Sequence, residues 1–104
     1  MIPMPHLVLL GDSIFDNAAY TANGPAVIEQ VRKNLSTGWQ ASLLAVDGDT
    51  TSDVPQQLHR LQPDATHLIL SVGGNDALNY LPQLEAPATS VKQGLVTLNR
   101  MKTE

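Results

Sequence analysis

Three short clusters in the sequence hold the residue types that acyl-transfer chemistry requires: Gly11-Asp12-Ser13, Gly48-Asp49-Thr50-Thr51 and Gly73-Gly74-Asn75-Asp76. A serine hydroxyl attacks a carbonyl effectively when it sits on a sharp turn beside N–H donors aimed where the oxyanion forms. Ser13 supplies the hydroxyl, and its own backbone N–H, that of Gly48 and the side-chain amide of Asn75 are candidate donors. A neutral amide suits this task because its hydrogen bond strengthens as negative charge develops, without clamping a ground-state anion. Each residue taken alone has a plainer role: Ser13 as a helix N-cap, Gly48 and Asn75 as turn residues. Asp12 and Asp76 read as carboxylates that hydrogen-bond turn backbone, and Asp16-Asn17 as a cap or the floor of a pocket.

The elements that must position these clusters are legible from apolar patterning. His6–Leu10 is a short unbroken apolar run ending at Gly11, the pattern of a strand buried on both faces of a parallel sheet. Gly24-Pro25 opens a helix with Val27, Ile28, Val31 and Leu35 on one face, and Gly38 turns the chain out of it. Trp39–Val46 reads as a second strand closed by Asp47-Gly48. Thr51 or Ser52 then caps a helix with Val54, Leu58 and Leu61 as its apolar stripe and Pro55 in its first turn. His67–Val72 is the third and strongest strand, cut off by Gly73-Gly74. A last helical pattern follows a Ser90 cap through Val91, Leu95 and Leu98, after a linker-like stretch from Gln83 to Thr89. Strands separated by single helices imply right-handed parallel crossovers, hence a doubly wound α/β layer. In such sheets ligands bind beyond the carboxyl ends of the strands, where all three clusters fall.

Gly11-Asp12-Ser13-Ile14 resembles the first block of the SGNH, or GDSL-type, serine hydrolases. Gly48 falls where the second block of that family places a glycine, and Gly73-Gly74-Asn75-Asp76 resembles the third, Gly-x-Asn-Asp. The blocks occur in the family's order, over about His6 to Leu81. Gly48-Asp-Thr-Thr51 followed by Leu58-His-Arg-Leu61 is similar to the lysophospholipase, thioesterase and arylesterase branch. The resemblance implies a flavodoxin-like parallel sheet of the SGNH type, here about three strands in order 2-1-3. It implies Ser13 as nucleophile and oxyanion donor, Gly48 and Asn75 as the rest of the oxyanion hole, and a small ester or thioester as substrate. Ile14 replaces the usual leucine, a volume-conserving change. The family's fourth block, Asp-x-x-His after a fifth strand, has no counterpart in residues 1–104, so a single partial domain with impaired catalysis is expected. Asp64-Ala-Thr-His67 has that spacing but precedes the third strand, which puts His67 roughly 15 to 20 Å from the Ser13 end.

Composition narrows the alternatives. Ten acidic against six basic residues, a net charge of -4, offer no basic stripe for nucleic acid. No cysteine is present, so disulfides, thiolate chemistry and cysteine metal sites are excluded, and no metal spacing links His6, His59 and His67. No cofactor is expected, since no Gly-x-Gly-x-x-Gly or P-loop follows a strand. No run is long enough for a membrane span and no basic leader precedes Leu7, so the expected location is the cytoplasm. His6 reads as a strand-start residue and His59 as a partly exposed helical one. Two functions compete: hydrolysis through a Ser13 acyl-enzyme, and a non-catalytic pocket that holds an anion or acyl carbonyl. Leu68, Ile69, Leu70 and Val72 should form an apolar, unpaired edge prone to self-association.

Overall fold

The computed structural model describes residues 4–82 and the pair 95–96. It contains β1 (His6–Gly11), α1 (Val27–Asn34), β2 (Gln40–Leu43), α2 (Val54–Leu58), β3 (His67–Ser71) and α3 (Gly74–Asn79). Short 3₁₀ turns occupy Ala18–Tyr20 and Thr51–Asp53. The strands form one sheet in the order β2-β1-β3. Both pairings are parallel, with His6 opposite Gln40 and Leu7 opposite His67 at one end, and Gly11 opposite Ser71 at the other. The expected 2-1-3 parallel α/β arrangement is therefore present.

The central strand is buried along its whole length, which explains its unbroken apolar run. Leu7 and Leu9 share a face with Ala41, and Ala26 and Ile28 close over them, with Phe15, Val31 and Leu35 packed around the cluster. With a 2-1-3 order, right-handed crossovers carry the two connections over opposite faces of the sheet, so β1 is covered from both sides.

Four expectations are corrected. The second strand is shorter than Trp39–Val46, because Leu44 and Ala45 both donate to the Leu9 carbonyl and end the regular ladder. Neither Thr51 nor Ser52 caps the helix: both lie in a 3₁₀ turn that follows Thr50, whose hydroxyl and N–H donate to Asp53 Oδ2, and Asp53 is the residue that precedes α2. The Val54, Leu58 and Leu61 stripe is not what α2 buries: Leu58 is 44% exposed, whereas Gln57 is 2% exposed. The end of β1 needs polar partners for its backbone more than another apolar side chain. Asn75 and Asp76 belong not to a turn but to the first turn of α3. The Gln83–Thr89 stretch and the Ser90–Leu98 helix lie outside the described residues, apart from the helical pair Leu95 and Val96.

Candidate functional site

The three clusters occupy the three connections that leave the carboxyl ends of the strands. Gly11 ends β1 with φ +125°, a left-handed conformation that favours glycine. A Cβ there would land on the Ser71 carbonyl oxygen, far inside van der Waals contact. That carbonyl also accepts the Asp12 N–H at 3.1 Å, fixing the start of the turn. Asp12 then organises the turn from within: Oδ1 accepts the Ile14 N–H at 3.1 Å, and its carbonyl accepts those of Phe15 and Asp16 at 3.2 and 3.0 Å. Three successive amides are thus consumed, while the Ser13 N–H and hydroxyl have no hydrogen-bond partner among the described residues. Ser13 is half-buried at the end of a rigid strand, and Asp12 has the backbone-bonding role expected of it.

After β2, Asp49 N–H donates to the Val46 carbonyl at 3.0 Å, closing a four-residue turn. Gly48 stands third in it with φ +90°, the position at which a type II turn requires glycine or asparagine. Its N–H has no partner among the described residues. Asn75, half-buried, donates from Nδ2 to the Asp49 carbonyl at 2.9 Å, which uses one of its two amide hydrogens. Asp76 accepts the Thr51 N–H at 3.0 Å and its hydroxyl at 2.8 Å, so the two loops are tied twice. Asp76 therefore holds backbone as expected, but across to the neighbouring loop. Asp16 accepts the Asp47 N–H at 2.7 Å, and Asn17 Oδ1 accepts the Val27 N–H at 2.9 Å as a remote cap on α1.

Tyr20 donates to Asp47 Oδ2 at 2.8 Å, and that bond, with the nearby carboxylate charge, raises its pKa. The shift acts as a tie that holds below the ordinary tyrosine range and is lost as pH climbs through the raised value.

No described histidine hydrogen-bonds Ser13. His6, 3% exposed, begins β1 as expected and is held at the opposite end of the strand. Its Nδ1 lies 2.9 Å from Asp64 Oδ1 and its Nε2 2.7 Å from Ser42 Oγ. An ionised carboxylate only accepts, so Nδ1 donates to Asp64, while Nε2 and the Ser42 hydroxyl share the second bond. The connectivity is that of a hydrolase triad, yet Ser42 lies within β2, in ladder register with Val8, not on a sharp turn. Its work is to join β1, β2 and the approach to β3. Asp64 thus serves His6 rather than His67, whose Nδ1 meets Thr66 Oγ1 at 2.8 Å and whose ring lies 5.1 Å from that of Trp39. His59 is exposed just beyond α2.

Sequence reasoning missed Gln57. Its Oε1 accepts the Gly11 N–H at 2.8 Å, and its Nε2 donates to the Gly11 carbonyl at 2.7 Å and to Asp49 Oδ2 at 2.8 Å. A polar residue interrupting the apolar pattern of a helix beside a glycine-ended strand was the available signal. Among the described residues there is no metal-binding cluster of histidines and carboxylates, and no helix long and apolar enough to cross a membrane. No family model, no curated protein and no solved structure matches the chain.

Proposed function

We propose that the chain is an SGNH (GDSL-type) hydrolase domain acting on carboxylic esters or thioesters. Ser13 is the nucleophile, and the Ser13 and Gly48 backbone N–H groups with the Asn75 amide form the oxyanion hole. The observation that supports it best is one of bookkeeping: each of the three donors keeps an N–H with no partner among the described residues, while the backbone amides on either side of Ser13 and of Gly48 are consumed. In the acylation step Ser13 Oγ bonds to the acyl carbon, the carbonyl oxygen takes the charge, and the Ser13 proton passes to a base. Collapse of the tetrahedral intermediate expels the alcohol or thiol, and water releases the acid.

The absence of a histidine at Ser13 among the described residues favours a second function, an acyl- or anion-binding pocket without turnover. Added imidazole separates the two, since it supplies a diffusible base. A fluorophosphonate is attacked by Ser13 Oγ at phosphorus, fluoride leaves, and imidazole takes the proton. General-base catalysis contributes about 10² to 10⁴-fold, so an imidazole-dependent adduct should form on Ser13 by peptide mass spectrometry and vanish in Ser13→Ala. Failure to form it at any imidazole concentration, in a protein that binds carboxylates, would leave the binding pocket as the function.

We also place self-association at β3. Leu68, Ile69 and Leu70 are 50%, 47% and 54% exposed although they alternate between faces, so neither face of the strand is well covered. Among the described residues β3 pairs with β1 alone, and His67–Ser71 carries no lysine, proline or bulge to deter pairing. Sedimentation velocity should show a concentration-dependent rise above the monomer value that Ile69→Lys suppresses. A monomer at every concentration would count against it.

A further inference from the structure

Gln57 is buried at the carboxyl end of the sheet, at 2% exposure, and its amide is saturated. The acceptor oxygen takes one backbone N–H, and the two amide hydrogens go to two different acceptors at 2.7 and 2.8 Å. This pattern admits a single orientation of the amide, because flipping it would set donor against donor at Gly11. The partners belong to separate loops. Gly11 immediately precedes Asp12-Ser13, while Asp49 immediately follows Gly48. Asp49 in turn presents its carbonyl to Asn75 Nδ2 at 2.9 Å. A continuous path therefore runs Gly11, Gln57, Asp49, Asn75, touching all three connections that leave the sheet. Gly74 approaches from the other side, where a Cβ would stand 3.9 Å from Asp12 Oδ2.

We propose that Gln57 is a positioning residue that sets the Ser13 turn, the Gly48 turn and the Asn75 amide relative to one another, a role that rests on the assignment of Ser13 as nucleophile. It touches no reacting atom. Through Gly11 it fixes the backbone from which Ser13 projects, and through Asp49 it fixes the carbonyl that claims one Asn75 hydrogen and so directs the second. Oxyanion stabilisation depends on donors held within a fraction of an ångström, and a misplacement of about 1 Å can cost 10²-fold in rate. Loss of the clamp should therefore slow the chemical step and spare reversible binding.

The test is the imidazole-assisted modification of Ser13 by a fluorophosphonate, resolved into a binding constant and a maximal rate, with ¹⁵N spectra of the same proteins. Gln57→Leu keeps the size and removes all three hydrogen bonds. It should lower the maximal rate roughly 10- to 100-fold with the binding constant unchanged, and shift the Gly11 amide and Asn75 side-chain resonances. Gln57→Glu adds a readout that a bulk structural role would not move. Its ionised carboxylate can accept from Gly11 N–H but cannot donate to the Gly11 carbonyl or to Asp49. Its protonated form regains one donor, so the rate relative to wild type should recover as pH falls through the carboxyl pKa. If Gln57→Leu does not fold, Gln57→Glu carries the same measurements. If wild type gives no Ser13 adduct, the hydrolase assignment fails, and the clamp is judged by the spectra alone: unmoved Asn75 side-chain resonances in a folded Gln57 variant overturn it. A wild-type maximal rate in either variant overturns it as well.

Discussion

Gly11→Ala is expected to leave the chain without its native fold, seen as loss of the far-ultraviolet circular dichroism transition and collapse of amide dispersion. Two independent penalties meet at this residue. The backbone holds φ +125°, where an L side chain is strained, and the new methyl would coincide with the Ser71 carbonyl oxygen. Relief requires β3 to move away from β1, but Ser71 is the last register pair of that ladder and its carbonyl also anchors Asp12. Relief through β1 is blocked too, because the Gly11 N–H and carbonyl are bonded to Gln57 and the carbonyl also to Val46 N–H. Losses above about 4 kcal/mol are exceptional and arise from combinations of this kind. A domain of this size has only about 5 to 15 kcal/mol in all. Gly48→Ala is the control. It has φ +90° but open space around the Cβ, so only the conformational term remains, about 1 to 2 kcal/mol. Equal melting temperatures for Gly11→Ala and wild type would refute the steric argument.

The fold was legible where a single physical demand ruled a segment. Val8, Leu9 and Leu10 had to be a buried strand because no polar face was available to them, and α1 had to be a helix because its apolar residues recur at three and four. The order 2-1-3 came with the family resemblance rather than from any one residue, since right-handed crossovers alone fit 1-2-3 equally well. Legibility failed where long-range polar demands overrode local patterning. The polar residue in the helix pattern signals a buried role for Gln57 but not its partner: Gly11, which takes both a donor and an acceptor from it, lies 46 residues earlier. The apolar stripe through Val54 and Leu58 consequently pointed to the wrong buried residue. The bond from His6 to Asp64 spans 58 residues and is equally silent in one dimension, so the Asp-x-x-His spacing was recognised only as a decoy, not as half of a tie. The candidate site itself was legible as positions because a parallel sheet delivers its glycine-rich connections to one end. Its geometry was not, since the amide that organises it comes from a helix rather than from the motifs.

Asn75→Ala should remove most of whatever hydrolysis the chain performs on an activated ester, by roughly 10² to 10³-fold. The reason lies in when each group acts. Without a base at Ser13, the hydroxyl is a poor nucleophile, and a hydrolase site in that condition retains about 10³ to 10⁴-fold acceleration over water from its oxyanion hole and binding. That remainder needs no acyl-enzyme, because water can attack a carbonyl whose oxygen already lies among the donors. Ser13→Ala should therefore cost little in the absence of imidazole, since members of a catalytic unit are strongly non-additive once one is missing. Asn75 is different: in the proposed oxyanion hole its remaining amide hydrogen would meet charge that develops only in the transition state. The lost bond to the Asp49 carbonyl should cost about 1 kcal/mol of stability, leaving the fold intact. Asn75→Asp sharpens the comparison by placing a carboxylate where the oxyanion forms, and should be the slower of the two with a similar KM. The measurement is the background-corrected rate of p-nitrophenyl ester hydrolysis for folded wild type, Ser13→Ala, Asn75→Ala and Asn75→Asp without imidazole. Asn75 variants within twofold of wild type would remove Asn75 from the oxyanion hole. Wild-type turnover at full enzymatic rates, abolished by Ser13→Ala, would instead show that a base reaches Ser13.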